Sequence, residues 1–227
     1  MITRKSTYED VAAEYLADFP TLAAKKKTFQ AKFGTLVKRS RSARFPMTAQ
    51  YEYVCPSSGN RYLYCYTAFK RSDWAEPYCN AVCLFEGKRG LHAAVSTNNR
   101  QAVVIFTPHF FERYRERILK DEDIVGDALI KRYLSRNTRY ILKEIDETFA
   151  KAYRKYEDDE SQTYAAEVNE GNIFLKNYGG KVLVCRTIIS DEMLREGQPE
   201  AFGELKTELR RLGHIKIQGY KDHYSRK

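Results

Sequence analysis

Apolar residues recur along this chain with two different periods, and the change from one to the other marks its organisation. Val11, Ala12, Tyr15, Leu16 and Phe19 follow Thr7-Tyr8-Glu9-Asp10 at helical spacing, which predicts a short capped helix over 7–18 stopped by Pro20. A second helix is predicted over 21–37, its stripe formed by Leu22, Phe29, Phe33, Leu36 and Val37. From Ala49 the period falls to two. Alternating segments at 51–54 and 62–66 flank Pro56-Ser57-Ser58-Gly59-Asn60, a hairpin signal, and strands at 80–85, 91–96 and 102–106 extend it into an antiparallel meander.

Thr107-Pro108 then has the form of a helix start, with a hydroxyl at the cap and a proline at the first helical position, where its missing N–H costs nothing. Helical spacing continues to about Tyr156 with breaks near Asp121 and Asn137, and Ile141, Ile145, Phe149 and Ala152 make a stripe. After an acidic turn at 157–160 come three strands at 163–168, 172–177 and 181–189, then a helix over 200–212. The expected fold is therefore α+β: a basic N-terminal helical arm, an antiparallel β meander, central helices, a three-stranded C-terminal β unit and a terminal helix. The natural seam lies at 39–48, dividing an arm (1–44) from a mixed body (45–227). A further seam near Thr107 would make 101–227 a unit of its own.

Composition narrows the classes. The 227 residues are 43% apolar and 30% charged, enough for one or two domains with a true core. No stretch reaches the roughly 18 consecutive apolar residues of a membrane helix, and the N-terminus lacks a signal peptide's apolar run, so a cytoplasmic protein with no membrane partner is expected. Cys55, Cys65, Cys79, Cys83 and Cys185 match neither a zinc-site spacing nor a disulfide framework and read as reduced thiols. The absence of G-x-G-x-x-G, G-x4-G-K-[ST] and H-E-x-x-H signatures leaves no cofactor and no metal to expect.

The net charge of +9 is unevenly spread. Lys25, Lys26, Lys27, Lys32, Lys38, Arg39, Arg41 and Arg44 are eight bases with no acid among them, and the tail from 206 to 227 carries a local +5. A helix gains from Glu and Lys at i, i+4 spacing, yet residues 22–44 forgo every such pair. Such clusters suit a polyanion, because each phosphate neutralised releases counterions. A solvated face is the plainer explanation.

Two further patterns carry candidate chemistry. In Thr107-Pro108-His109-Phe110-Phe111-Glu112-Arg113-Tyr114-Arg115-Glu116-Arg117, the residues Phe110, Phe111, Tyr114 and Ile118 form a buried stripe, while His109, Arg113 and Arg117 share a ridge at i, i+4, i+8. Such a ridge can hold a phosphate near the helix start, with His109 shuttling a proton and the arginines stabilising charge. Alternatively, Glu112 and Glu116 neutralise these bases and His109 merely packs. Seventeen tyrosines accompany a single tryptophan, and Tyr62, Tyr64 and Tyr66 project from one strand face with Tyr51 and Tyr53 on a candidate neighbour. That face is either a stacking platform for single-stranded nucleic acid or a surface covered by the N-terminal helices.

The strand followed by Thr107-x-His109, an apolar pair and arginines at four-residue steps, together with Gly171-Asn172-Ile173-Phe174-Leu175 and Lys181-Val182-Leu183-Val184-Cys185-Arg186-Thr187, resembles the small bacterial ribonuclease toxins of the RelE and barnase-like kind. The resemblance covers about 90 of the 227 residues. It implies an active sheet face with basic and hydroxyl residues, which would place Lys176, Tyr178, Arg186 and Thr187 near the ridge. The expected function is nucleic-acid binding, RNA favoured, with 25–44 and the tyrosine face supplying affinity. His109, Arg113, Arg117, Arg186 and Thr187 would then carry metal-independent RNA cleavage. The alternative is a non-catalytic interaction or structural subunit of a larger phage or mobile-element assembly, docking an acidic protein partner through the basic helix. The oligomeric state stays open.

Overall fold

A computed structural model of the chain describes residues 1–40, 44–97, 102–138, 141–144, 162–179, 181–190 and 192–193. The chain forms two compact units: Met1–Ile105 with Gly180–Val182, and Phe106–Gly179 with Leu183–Lys227. Each combines helix with antiparallel strands, so the fold is α+β.

The first unit begins with one long helix, α1 (Tyr8–Arg39), where the sequence predicts two. A capping box starts it: Asp10 N–H donates to Thr7 Oγ1 (3.2 Å), and Thr7 N–H donates back to Asp10 Oδ2 (2.8 Å). Pro20 does not stop the helix. An interior proline costs about 3 kcal/mol, but the buried positions Val11, Tyr15, Asp18, Leu22, Phe29, Phe33 and Val37 keep one phase across it, and Pro20 itself is exposed. Burying both halves of that stripe on one sheet offsets the broken bond. Helix α1 and the strands that cover its apolar face belong to one compact unit.

Those strands are β1 (Met47–Val54), β2 (Arg61–Ala68), β3 (Tyr78–Gly87), β4 (Gly90–Ser96) and β5 (Val103–Phe106), neighbours in that order. The register puts Tyr51 opposite Tyr64 and Tyr53 opposite Tyr62. A single turn of 3-10 helix, Arg71–Trp74, lies between β2 and β3. Helix and sheet are joined by a ladder of phenol groups: Tyr62 Oη donates to Asp18 Oδ2 (2.8 Å), Tyr64 Oη to Leu22 O (2.8 Å) and Tyr66 Oη to Lys26 O (2.7 Å). Two residues along a strand advance about 6.7 Å and four along a helix about 6.0 Å, so every second tyrosine meets every fourth helical residue. Tyr15 Oη adds a bond in the other direction, to Ala81 O.

Asp18 anchors the ladder's first rung. Although 4% exposed, it accepts from Ser58 Oγ (2.6 Å), Asn60 Nδ2 (2.9 Å), Tyr62 Oη and the Cys55 thiol (3.3 Å). Burial alone would push this carboxyl's pKa up. The four donors outweigh that and hold it below its ordinary value. The β1–β2 turn is thereby tied to the middle of α1.

In the second unit Thr107 caps α2 (Pro108–Tyr114), its Oγ1 accepting from Phe110 N–H (3.2 Å). A π-helical turn, Arg115–Leu119, follows and closes at Lys120 in the left-handed region (φ 52°). Next come α3 (Gly126–Arg136), β6 (Ile141–Glu144), β7 (Gln162–Val168), β8 (Gly171–Asn177) and β9 (Val182–Ile189); the last four lie in the order β9-β8-β7-β6. Phe106, Phe110, Phe111 and Tyr114 pack around Tyr133 with centroids 5.0–5.9 Å away. Glu170, in the β7–β8 turn, accepts from Tyr114 Oη, Arg136 Nη1 (2.8 Å) and Asn137 Nδ2 (2.9 Å), fastening both helices to the hairpin. The helix predicted to run on past Asn137 is corrected at 141–144, a strand whose backbone pairs with β7 from Ile141↔Glu167 to Glu144↔Tyr164. An open strand edge there offers a full hydrogen-bond ladder, which a four-residue helical segment cannot match. The rest of that stripe (145–156), the acidic turn and the terminal helix at 200–212 lie outside the described residues.

All five cysteines are free, and burial pushes the thiol of Cys79 up to about 11 and that of Cys83 to about 12. Among the described residues no helix is long and apolar enough to cross a membrane.

Two stability predictions follow from α1. Replacing Asp18 with alanine strands the buried donors Asn60 and Tyr62 and the half-buried Ser58, so urea unfolding of Asp18→Ala shows a loss of about 3 kcal/mol. The native carboxyl binds fewer protons than the unfolded one around its ordinary pKa of 3.8, so its contribution is whole above that pH and drains away as pH falls through the depressed value. Acid titration of stability is correspondingly flatter in Asp18→Ala. Pro20→Ala restores a backbone donor at an exposed position and raises stability by about 1 kcal/mol or more in the same assay.

Candidate nucleic-acid interface

With its apolar stripe on the sheet, α1 turns its bases outward. Lys26, Lys27, Lys32, Lys38 and Arg39 are exposed, Lys25 half-buried, and none of the six is in an ion pair among the described residues. Lys25, Lys32 and Arg39 recur every seven residues, two helical turns or about 10.5 Å, and form one row. Aromatic rings support this row: Lys25 Nζ lies 5.0 Å from the Phe29 centroid and 5.3 Å from that of Tyr53, and Lys32 Nζ lies 5.8 Å from Phe29. Phe29 in turn stacks on Tyr51, with centroids 5.0 Å apart and planes at 4°. Lys27 and Lys38 lie on the opposite flank, beside Trp74. Arg44 is exposed, and Arg41 lies outside the described residues.

The tyrosine face has the covered form. Tyr62, Tyr64 and Tyr66 are at most 1% exposed, their rings beneath α1 and their hydroxyls bonded to it, so they offer no stacking platform. The rings that reach the surface beside the lysines are Tyr51 and Tyr53, both half-buried, and Trp74, 41% exposed. Trp74 was legible only as the chain's one tryptophan, placed in a polar stretch, Arg71-Ser72-Asp73-Trp74-Ala75-Glu76, with no strand or helix period.

In the second unit the ridge on α2 is divided. His109 is exposed and faces Glu112, with Nδ1 3.6 Å from Oε2; Arg113 Nη1 donates to Glu116 Oε2 at 2.8 Å. Arg117 leaves the ridge, because α2 ends at Tyr114 and the wider π-helical turn re-aims the next residues. Its Nη1 donates to Thr187 Oγ1 (3.0 Å) and Ile188 O (3.2 Å). Ile118 is accordingly only half-buried, unlike Phe110, Phe111 and Tyr114. Arg186 occupies a bulge, since Phe174 pairs with Thr187 and Leu175 with Cys185. Lys176 Nζ lies 5.3 Å over the ring of Tyr178. The structure thus joins Arg117 to Thr187, whereas His109 and Arg113 are each engaged by a glutamate of their own turn. Among the described residues no group of three or more His, Cys, Asp or Glu side chains is placed to hold a metal ion.

No protein-family model, curated protein or solved structure matches this chain.

The division of the ridge has a measurable consequence. Arg117→Ala removes charge-assisted bonds to Thr187 and Ile188 and costs about 1–2 kcal/mol in denaturant unfolding, while His109→Ala stays within about 0.5 kcal/mol of the parent.

Proposed function

We propose that this protein binds single-stranded nucleic acid, RNA in the first instance, through the outer face of α1 and the aromatic rings beside it. The observation that carries the reading is the set of cations at Lys25, Lys26, Lys27, Lys32, Lys38 and Arg39, held on one helix with no carboxylate paired to them among the described residues. A phosphate backbone supplies the missing charge and releases counterions as it binds. Tyr51, Tyr53 and Trp74 favour a single strand over a duplex, because unpaired bases expose faces that stack on aromatic rings.

The resemblance to ribonuclease toxins adds cleavage, but the ridge argues for a structural role. His109 and Arg113 are paired with Glu112 and Glu116, and Arg117 is spent on β9. We therefore read the protein as a binder without a cleavage step in this ridge.

Fluorescence anisotropy with labelled single-stranded RNA across a salt series tests this. Changing Lys25, Lys32 and Arg39 together to glutamine removes one row, weakens binding at every sequence and lowers the salt slope by about 2, at roughly 0.7 per single-strand phosphate. No binding at low salt would overturn the proposal. RNA recovered cut from the parent but intact from His109→Ala would overturn the non-catalytic part alone.

A further inference from the structure

The groove between α1 and the 3-10 turn has the features of a subsite for one base. It encloses about 380 Å³, bounded by Lys27, Gln30, Gly34, Thr35, Lys38 and Trp74, a set with no carboxylate. That volume falls in the range of small-ligand sites.

The groove is held in shape by hydrogen bonds that do not involve the indole. Gln30 Nε2 donates to Ala75 O (2.6 Å), and Arg71 Nη2 donates to Ser40 O (2.9 Å) and Lys38 O (3.3 Å). Asp73 Oδ2 accepts from the backbone of Phe69 (2.8 Å) and Lys70 (3.2 Å), closing the turn on itself. Gly34 is required by the approach: a Cβ there would lie 2.4 Å from Trp74 O. The backbone of Trp74 is thus pressed against the helix, while the residue as a whole stays 41% exposed at the groove rim. Every Phe and Tyr of this unit is buried or half-buried, and Trp74 is the aromatic residue left exposed, at the rim of a groove lined by two lysines.

Lys38 indicates which. Its ammonium sits 3.2 Å from the Trp74 centroid, a cation on the π-face with no anion to pair with. We infer that the Trp74 groove is a nucleobase subsite, in which an unpaired base stacks on the indole in place of the Lys38 ammonium, and Lys38 and Lys27 take the flanking phosphates. The inference rests on the single-strand reading above and assigns it a point of contact. Stacking is indifferent to base identity, so the subsite reads the presence of an unpaired base, not its sequence.

The chain's single tryptophan makes the test direct. Titrating the 227-residue chain with oligouridine quenches tryptophan emission in parallel with binding followed by anisotropy. Trp74→Ala loses about 5- to 150-fold in affinity, the span of one base–aromatic stack, with an unchanged salt slope, and Trp74→Phe recovers part of the loss. An abasic strand of the same length supplies the charge without the base, and against it parent and Trp74→Ala bind alike. Thermal unfolding of each variant confirms that the fold is retained, and Trp74→Phe carries the comparison if the alanine variant unfolds. Binding with unchanged emission and equal affinities for parent and Trp74 variants would overturn the subsite while leaving the basic face intact. Absence of binding to either strand at low salt would remove both.

Discussion

A lysine-rich helix is a poor element to build on, and this chain holds its own down with tyrosine hydroxyls. Tyr62, Tyr64 and Tyr66 reach from alternate positions of one strand to Asp18, Leu22 and Lys26 on the helix, so the pleat of β2 sets the register of α1. A phenol suits this role because its ring is buried as apolar surface and its hydroxyl still finds a partner. The first rung is the strongest, since Asp18 accepts four bonds in a site almost closed to water. Once that register is set, the outward face follows: the positions that do not meet the sheet are those that carry the bases.

The second unit uses the same device with the partners exchanged. There the carboxylate belongs to the hairpin turn, Glu170, and the donors belong to the helical side, Tyr114, Arg136 and Asn137. In both units one buried or nearly buried acid fixes where a helix meets a β-turn. Acids committed in this way do not neutralise the outward cations of α1.

Much of this was legible in the sequence. The meander, the turn at 56–60 and the Thr107-Pro108 helix start were all readable, because period-two alternation, turn chemistry and capping are local signals. What escaped the sequence was decided by tertiary contact. Pro20 reads as a stop, and only the shared phase of the stripe on either side, cashed in against one sheet, carries α1 through it. The ridge at His109, Arg113 and Arg117 assumes 3.6 residues per turn, and the π-helical turn that starts at Arg115 breaks that assumption before the chain reaches Arg117. At Ile141 the spacing was helical, but the open edge of β7 decided the outcome. The candidate interface was half visible: its charges stand in the sequence, whereas the choice between a covered and an open tyrosine face does not, because alternation alone does not tell one from the other.

On the proposed reading, α1 and its flanking rings form the nucleic-acid surface. Photo-crosslinking with 4-thiouridine-substituted single-stranded RNA, followed by mass spectrometry of the linked peptides, tests it most directly. The account predicts adducts in the peptides that span 25–39, Tyr51 and Tyr53, and Trp74. Adducts confined to the peptides of His109–Arg117 and Arg186–Thr187, or none at low salt, would contradict it.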